Sequence, residues 1–460
     1  MSAAKKAAAG ARSIGILLGI WGVLALVAWI AGVLPAREGE TEPEQTEPTP
    51  SVVDGGVAEN APEDAGLGTP VAAEPTDAGP IDAGRDAGPP APRGAEALWA
   101  VRLTENEPGV GESAALGVGS VVGDARPELL VAVGSQIHVV GLLEGRPMRV
   151  ATLGTPSAAT PARPLAADVT GDGHADLVLG HARLGPEGGP IGGTLQLVPS
   201  NALGALEDAR VLAPIAVTGL VAVEGDRGAR LGAANWTDGF GRRASELWTF
   251  AGGASPVRRG RARIGNDASD VVAADLDGDG EIELVALDAQ GLTRVSLEGA
   301  RLGVLDLARA THALAHDLDG DEHTDVIVVA EGLHLVRGGV DPLEAQPLDA
   351  PHGIRRLALA DVDRDGRVDL LGATREGIVL LQQRDPLVFS EAHTMRLPLL
   401  FRPHDLAVVE LGEQRALVVV GTGTHGFELW ALPLTERVDA GAAEAPLLLD
   451  APLHLTIPLR

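Results

Sequence analysis

Short apolar runs alternate with polar turns from about residue 97 to the end of the chain. In four places, an apolar run of three or four residues leads into an acidic turn, and a second apolar run follows. The runs before these turns are Pro164–Ala167, Val271–Ala274, Ala313–Ala315 and Leu357–Ala360, and those after them begin at Leu177, Leu284, Val326 and Leu370. Apolar runs on either side of a turn predict paired β-strands. Further runs, such as Thr194–Val198 and Gly332–Val336, predict more strands in each unit.

The four turns, which we call the first to fourth acidic loops, are nine residues long and carry oxygen side chains at positions 1, 3, 5 and 9. In chain order these are Asp168, Thr170, Asp172 and Asp176; Asp275, Asp277, Asp279 and Glu283; Asp317, Asp319, Asp321 and Asp325; and Asp361, Asp363, Asp365 and Asp369. Carboxylates that converge on a tight turn repel one another unless a cation lies between them, and Ca²⁺ prefers flexible, all-oxygen ligand sets. The sequence therefore predicts about four structural calcium sites, each holding a hairpin together.

Three degenerate copies extend the series. They begin at Ser120, Ala222 and Glu410, and each precedes an apolar run but has lost too many carboxylates to bind calcium. The seven first positions between 120 and 410 are about 48 residues apart on average, which is typical of propeller blades with several strands each. We therefore expect an all-β fold, a seven-bladed β-propeller over residues 97–460. Either residues 97–103 or the terminal LHLTIPLR would close the ring.

An EF-hand is the main alternative for an acidic calcium loop, and it requires a bidentate carboxylate at position 12. Here position 12 falls inside an apolar run, at Leu179, Ala286, Val328 and Gly372. No amphipathic helix pattern flanks the loops. The acidic residue at position 9 instead favours a calcium loop that closes a β-hairpin.

The pattern of an apolar strand, then Asp-x-Asp-Gly-Asp-Gly-x-x-Asp, then Leu-Val-x-Gly resembles the FG-GAP/VCBS repeats of integrin-α-type β-propellers, although the FG-GAP tetrapeptides themselves are poorly kept. In that family the side chains at positions 1, 3, 5 and 9 bind calcium together with the carbonyl at position 7. The resemblance therefore adds the carbonyls of His174, Glu281, His323 and Arg367 to the ligand sets. It says little about activity, because the family includes adhesins, lectins and accessory domains of lyases.

Two of the loops depart from the repeat pattern. Thr170 replaces a carboxylate in the first acidic loop, which weakens the predicted site. Glu322 stands in the third acidic loop where the repeat has a glycine with positive φ, so we expect either a strain of roughly 1 kcal/mol or a different bend.

Other chemistry-bearing residues favour structural roles. His312 and His316 lie on one face of a predicted strand but lack a third zinc ligand, so burial or a pore-lining position is expected. Four aromatic residues could stack on a sugar ring, but packing within a blade is the stronger expectation: Trp236, Phe240, Trp248 and Phe250. No catalytic motif is present. A propeller enzyme would need Asp, His or Arg residues gathered at its central channel, which the sequence does not reveal.

The N-terminal region has a different pattern. Residues 14–34 are uncharged and mostly apolar, and as a helix they would span about 31 Å, the thickness of a membrane core. Lys5, Lys6 and Arg12 precede this segment and acidic residues follow it, which places residues 1–13 in the cytoplasm and the remainder outside. A cleaved signal peptide is the alternative, although its apolar region is usually shorter. Both interpretations export the rest of the chain.

Residues 35–96 are rich in Pro, Gly and Glu and repeat the tripeptide Asp-Ala-Gly, so they predict a disordered spacer. The chain has a formal net charge of −28, which argues against nucleic acid as a partner, and no cysteine. The expected function is a binding or scaffold module for a protein or glycan, anchored in the cytoplasmic membrane with its propeller in the periplasm or outside the cell. A polysaccharide lyase or hydrolase and a subunit of an envelope assembly complex are the alternatives.

Overall fold

The computed structural model describes most of the chain from residue 97 onward. The described residues are 97–103, 113–122, 126–154, 160–185, 189–239, 242–397, 400–411, 414–424, 426–434, 447–448 and 456–458. The predicted cytoplasmic segment 1–13, membrane segment 14–34 and spacer 35–96 lie outside this part. Within it, no helix is long and apolar enough to cross a membrane.

The described residues form seven mainly antiparallel sheets, numbered here as blades 1 to 7. The closing strand is β1 (Trp99–Arg102). Blade 1 contains β2 (Ala114–Gly119), β3 (Glu128–Val133), β4 (Gln136–Leu143) and β5 (Arg146–Gly154); blade 2 contains β6 (Thr160–Pro161), β7 (Leu165–Ala167), β8 (Asp176–Leu184), β9 (Pro190–Val198) and β10 (Arg210–Ala213); blade 3 contains β11 (Ala216–Val223), β12 (Arg230–Gly239), β13 (Arg242–Ala251) and β14 (Val257–Asn266). Blade 4 contains β15 (Asp270–Ala274), β16 (Glu283–Leu287), β17 (Gly291–Val295) and β18 (Arg301–Asp306); blade 5 contains β19 (His312–His316), β20 (Asp325–Val329), β21 (Leu333–Val336) and β22 (Ala345–Leu348). Blade 6 contains β23 (Arg356–Ala360), β24 (Asp369–Ala373), β25 (Gly377–Asp385) and β26 (Val388–Arg396); blade 7 contains β27 (Arg402–Leu411), β28 (Gln414–Gly423) and β29 (Gly426–Pro433), and two short strands follow, β30 (Leu447–Leu448) and β31 (Thr456–Pro458).

The second strand of a blade explains why the sequence has continuous apolar runs. Strands β3, β16, β20 and β24 are buried at every position, because neighbouring blades cover both of their faces. The buried apolar residues form seven clusters, and each cluster joins two adjacent blades. Burial of each large aliphatic side chain contributes about 1.5–3 kcal/mol, so the interfaces between blades hold the ring together.

The ring closes through its N-terminal strand. Strand β1 pairs antiparallel with β29, from Trp99 opposite Ala431 to Arg102 opposite Glu428, and so supplies the fourth strand of blade 7. The predicted closure by residues 97–103 is confirmed. The C-terminal β31 instead pairs parallel with β5 at the edge of blade 1. The prediction of an all-β, seven-bladed β-propeller is confirmed as well.

Each acidic loop connects the two strands that the apolar runs predicted. The loops join β7 to β8, β15 to β16, β19 to β20 and β23 to β24, and each pair is antiparallel. Position 12 of every loop lies within the second strand of its hairpin, so the structure has no counterpart of the EF-hand ligand there.

Candidate functional site: the acidic loops and the central channel

The position-1 aspartate organises each acidic loop by accepting backbone hydrogen bonds from the turn that follows. One carboxylate oxygen accepts from the N–H at position 6 in all four loops, at 2.9 Å in the first and second loops, 3.0 Å in the third and 3.1 Å in the fourth. The position-5 aspartate likewise accepts from the N–H at position 7. These bonds fold the side chains at positions 1 and 5 onto the same turn.

The position-9 carboxylate lies deeper in the blade than the side chains at positions 1, 3 and 5. It is at most 4% exposed in all four loops, and one of its oxygens accepts from the N–H at position 2. Its other oxygen contacts the third strand or the residues just after it: the N–H groups of Ser200, Gly338 and Gln383 in the first, third and fourth loops, and the Arg294 guanidinium in the second. Position 9 therefore connects the hairpin turn to the rest of its blade.

Burial raises the pKa of all four position-9 carboxyl groups, although their hydrogen bonds oppose this effect. A raised pKa means that the surroundings disfavour the negative charge. A cation close to the loop would stabilise the ionised form. The electrostatics of position 9 thus match a cation-binding loop.

Three of the four acidic loops bring carboxylate oxygens close enough to share one ion. In each, three such atoms lie within 4.8 Å of one another: those of Asp275, Asp277 and Asp279; of Asp317, Asp319 and Asp325; and of Asp361, Asp363 and Asp365. An all-oxygen set of this kind suits Ca²⁺. Among the described residues the first loop forms no such group, since Thr170 occupies position 3 and its hydroxyl lies 3.4 Å from the Asp176 carboxylate.

Arginine side chains contact three of these loops. Arg294 pairs with Asp277 and Glu283, and Arg367 pairs with Asp365. Arg337 lies 2.8 Å from Asp319 and 3.4 Å from Asp321. Each guanidinium offsets part of the negative charge at its loop.

Positive φ angles occur at positions 4 and 6 of every acidic loop. Position 6 is glycine in three loops, with φ between 84° and 88°, and Glu322 adopts φ 70° there in the third loop. The third loop therefore keeps the same bend and carries the strain, which decides between the two sequence-based expectations. Glu322 fits because a Cβ at the equivalent Gly173, Gly280 or Gly366 would meet nothing within 4 Å. Arg364 has φ 62° at position 4 of the fourth loop, a second strained position that the sequence analysis missed.

The acidic loops also bind the next blade. In the first loop the carbonyl of Asp168 accepts from the N–H of Ala229, and in the second the carbonyl of Asp275 accepts from that of Thr324. The corresponding donors for the third and fourth loops are side chains: Gln383 to the carbonyl of Leu318 at 2.8 Å and Arg415 to that of Asp361 at 2.6 Å. A loop that changes shape would therefore disturb the contact between neighbouring blades.

The degenerate copy in blade 1 keeps one part of this arrangement. Glu128 at position 9 is 4% exposed and accepts from the N–H of Val121 at 2.7 Å, as in the acidic loops. The position-9 carboxylate thus serves the hairpin even in a copy that has lost its other carboxylates.

A second candidate site lies on the propeller axis. A cavity of about 740 Å³ is lined by residues of all seven blades, mainly from their first strands. Its charged and imidazole side chains are Arg163, Asp267, Asp270, His312, Arg356, His404 and Asp405. Apart from His312, these residues were not predicted from the sequence, because they are spread along the chain from residue 163 to residue 405 and no local motif connects them.

Two of the channel carboxylates are bound by other side chains. Arg163 holds Asp405 with both Nε and Nη2, at 3.2 and 2.6 Å. The Oδ2 atom of Asp270 lies 2.6 Å from Nδ1 of His312. The channel therefore contains one Asp–Arg pair and one Asp–His pair.

The surroundings set the charges of these groups. Burial alone would raise the pKa of both aspartates. A hydrogen bond from His312 and the positive charges of Arg163 and Arg356 instead hold the pKa of Asp270 below its usual value. The same two arginines, of which Arg163 also donates a hydrogen bond, lower the pKa of Asp405. Burial lowers the pKa of His312 despite the opposing effect of Asp270. At neutral pH, Asp270 and Asp405 are thus ionised and His312 is uncharged.

The described histidines and aromatic residues noted in the sequence lie in different parts of the propeller. His312 is 4% exposed and lines the channel, as expected for a buried or pore-lining histidine. The same expectation is wrong for His316, which is exposed because it is the last residue of β19, directly before the acidic loop. Phe250 belongs to the core between blades 2 and 3, and Trp248 packs against that core with Arg258 over its ring. Trp236 lines the channel and donates to the carbonyl of Ala268. Phe240 lies outside the described residues.

Solved structures with a similar fold include β-propellers. BBS1N in complex with ARL6DN matches 75% of this chain and 99% of its own, with a TM-score of 0.50 and 11% identity. The WD40 β-propeller domain of Doa1 matches 74% and 97%, with a TM-score of 0.45 and 10% identity. A lectin of Agrocybe aegerita that recognises non-reducing terminal N-acetylglucosamine matches 62% and 80%, with a TM-score of 0.39 and 14% identity. No protein-family model and no curated protein sequence matches the chain.

Proposed function

We propose that this chain is a calcium-stabilised β-propeller of the FG-GAP/VCBS type that serves as a binding or scaffold module. The observation that carries the proposal is the grouping of three carboxylate oxygens within 4.8 Å in three consecutive blades, at the same turn each time. The position-1 and position-5 aspartates that contribute are already folded onto the turn by backbone N–H groups. Such a site needs little rearrangement to receive an ion.

The second, third and fourth acidic loops would each hold one calcium ion. The ligands are the carboxylates at positions 1, 3, 5 and 9 with the carbonyl at position 7, as the FG-GAP/VCBS resemblance implies. The first loop would bind more weakly, because Thr170 supplies a hydroxyl instead of a charge. The ion supplies positive charge that relieves the repulsion within a turn. Since each loop also contacts the next blade, a bound ion stabilises the ring as well as its own hairpin.

We further propose that residues 14–34 anchor the chain in the cytoplasmic membrane and that the propeller faces the periplasm or the outside. The length and apolar character of this segment and the positive charges before it support this orientation. Calcium is compatible with that location, because extracellular calcium modules bind at roughly 10⁻⁴–10⁻³ M. The partner would be an envelope protein or a glycan, and no catalytic step is part of this proposal.

Cell fractionation and protease treatment test the proposed arrangement. The full chain should remain with the membrane fraction, and protease added to cells without an outer barrier should remove the propeller. A matched variant lacking residues 14–34 should stay inside the cell and resist the protease. A full chain found in the soluble cytoplasmic fraction would contradict the anchor and the orientation together.

A further inference from the structure

The channel cavity contains two polar groups that the described fold leaves unused. The Nε2 atom of His312 is buried and has no hydrogen-bond partner among the described residues. The guanidinium of Arg356 bonds only to the carbonyl of its neighbour Arg355, at 3.0 Å, and no described carboxylate lies within ion-pair distance of it. Buried polar groups in proteins are normally paired, so an unpaired one at a cavity wall indicates a missing ligand or water.

Two of the three aspartates that line the channel, Asp270 and Asp405, cannot serve as free ligand-binding groups. Asp405 accepts from Arg163 and from the N–H groups of Leu116 and Leu406. Asp270 accepts from His312 and from the N–H of Val271, at 2.6 and 2.9 Å. Both carboxylates are committed to protein donors, and they hold the side chains around them in place.

His312 lines the cavity, and its Nε2 atom is an unused hydrogen-bond acceptor buried at the cavity wall. Because Asp270 is ionised and contacts Nδ1, this nitrogen carries the proton and donates, which leaves the lone pair on Nε2. A ligand hydroxyl is the natural donor to such an atom. The ring itself is fixed by Asp270, so the direction of this hydrogen bond is set before a ligand arrives.

Arg356 presents the complementary group. Its planar guanidinium suits a carboxylate, which it can hold through two parallel hydrogen bonds. Arg163, the other channel arginine, is occupied by Asp405. Arg356 is half-buried, so a charge that it binds is partly shielded from water.

The cavity size and walls restrict the ligand further. A volume of about 740 Å³ can accommodate a molecule the size of one or two sugar rings. Leu220 and Trp236 of blade 3 form an apolar part of the wall, while the two unpaired polar groups, on His312 and Arg356, come from blades 5 and 6. The combination fits a ligand that is polar on one side and has an apolar ring face on the other.

We propose that the central channel binds a small hydroxycarboxylate of monosaccharide size, with its carboxylate on Arg356 and a hydroxyl on Nε2 of His312. This ligand site goes beyond the proposed scaffold role and depends on neither the calcium ions nor the membrane anchor.

Isothermal titration calorimetry of the full-length chain tests this site with three probes. Glucuronate has both a carboxylate and hydroxyls. Glucose lacks the carboxylate, and propionate lacks the hydroxyls. Glucuronate should bind at least about 10-fold more tightly than either of the others, because each of them loses one charged or hydrogen-bonded contact. Arg356→Gln should weaken glucuronate binding by about 10-fold or more, and His312→Gln by roughly 5-fold. Arg355→Gln is the matched control, since this exposed neighbour does not line the cavity, and it should leave binding unchanged.

The melting temperature of each variant shows whether it is folded. If His312→Gln does not fold, the comparison of Arg356→Gln with Arg355→Gln still decides the question. Failure of glucuronate to bind at roughly 10 mM would overturn the proposal. Equal affinities for glucuronate and glucose, or equal effects of the two arginine variants, would overturn it too. None of these outcomes bears on calcium binding, so this site and the proposed function fail or succeed separately.

Discussion

Glu322 shows how one residue can depart from a repeat without changing its structure. It keeps the positive φ of the glycines at position 6, and its N–H still donates to Asp317. The open space around position 6 removes any steric obstacle to a side chain, so the remaining cost is conformational. Arg364 presents the same situation two residues earlier in its own loop.

We expect Glu322→Gly to raise the free energy of unfolding by about 1 kcal/mol, because glycine adopts this backbone conformation without strain. Gly280→Ala is the matched control at position 6 of the second loop, where a Cβ would meet nothing within 4 Å, and it should lower stability by a similar amount. Urea unfolding in the presence of calcium measures both changes. A loss of stability in Glu322→Gly would show that the glutamate side chain makes a stabilising contact.

The buried position of His138 makes the stability of the propeller sensitive to acid. His138 is 1% exposed in strand β4, and burial, together with the positive charge of Arg149, lowers its pKa to about 3. Below pH 6.5 the unfolded chain takes up a proton that the folded chain does not, so stability falls as the pH drops from about 6.5 towards 3. This pKa difference corresponds to as much as roughly 5 kcal/mol.

We expect His138→Gln to flatten the pH dependence of unfolding in this range. Other groups, mainly carboxyl groups, titrate there too, but they are common to both proteins, so the difference between the two stability curves isolates the histidine. Urea unfolding at several pH values between 7 and roughly 4 measures it. Parallel curves for the two proteins would contradict the burial of a neutral His138.

At the scale of the element, the acidic hairpin combines two functions that the sequence does not separate. Carboxylates gather at positions 1, 3 and 5 in the second and fourth loops and at positions 1, 3 and 9 in the third. Position 9 is buried in every loop and accepts from backbone N–H groups. Glu128 shows that the position-9 function persists without the others. Loss of carboxylates at positions 1 and 5 should therefore affect ion binding more than the hairpin fold.

The double variant Asp361→Asn with Asp365→Asn tests this division. We expect it to lower the melting temperature by several degrees with calcium present and much less in chelator, because it removes ligands at the turn and leaves Asp369 in place. The matched control changes Ser120 and Asp124 to Ala and Asn in the degenerate blade-1 copy, which should have little effect under either condition. Equal shifts in the two double variants would remove the distinction between intact and degenerate copies.

The hairpins were predictable from the sequence because their signals are local. Each apolar run becomes a strand fully or partly buried between blades, and each acidic turn keeps its nine-residue spacing. The contacts from one loop to the next blade were not predictable, since Gln383 and Arg415 lie more than 50 residues from their acceptors. Long separations along the chain also hid the channel pairs: Asp270 contacts His312, 42 residues away in the next blade, and Arg163 contacts Asp405, 242 residues away.

At the scale of the molecule, the ring is held by seven apolar interfaces and one closing strand. Strand β1 completes blade 7, and Val101 and Leu103 are buried in the core that joins blades 7 and 1. Removal of residues 97–103 would take both side chains out of that core and expose the edge of β29. The closure therefore connects the first part of the propeller sequence to the last.

We expect a chain lacking residues 1–103 to lose at least about 3 kcal/mol of stability relative to one lacking residues 1–96, because two buried aliphatic side chains and a ladder of hydrogen bonds are lost. Urea unfolding of the two truncated chains measures the difference. Equal stability would mean that another segment takes the place of β1.

The central claim is that calcium ions hold the acidic hairpins of this propeller. The most direct measurement is a calcium titration of the metal-free full-length chain by calorimetry, with the melting temperature recorded at each point. We predict three bound ions, at the second to fourth acidic loops, a more weakly bound fourth at the first, and a melting temperature that falls again with chelator. An ion present at 100 times its Kd stabilises a folded protein by about 2.7 kcal/mol per site. A titration with no heat of binding, and a melting temperature that is the same in calcium and in chelator, would contradict the claim.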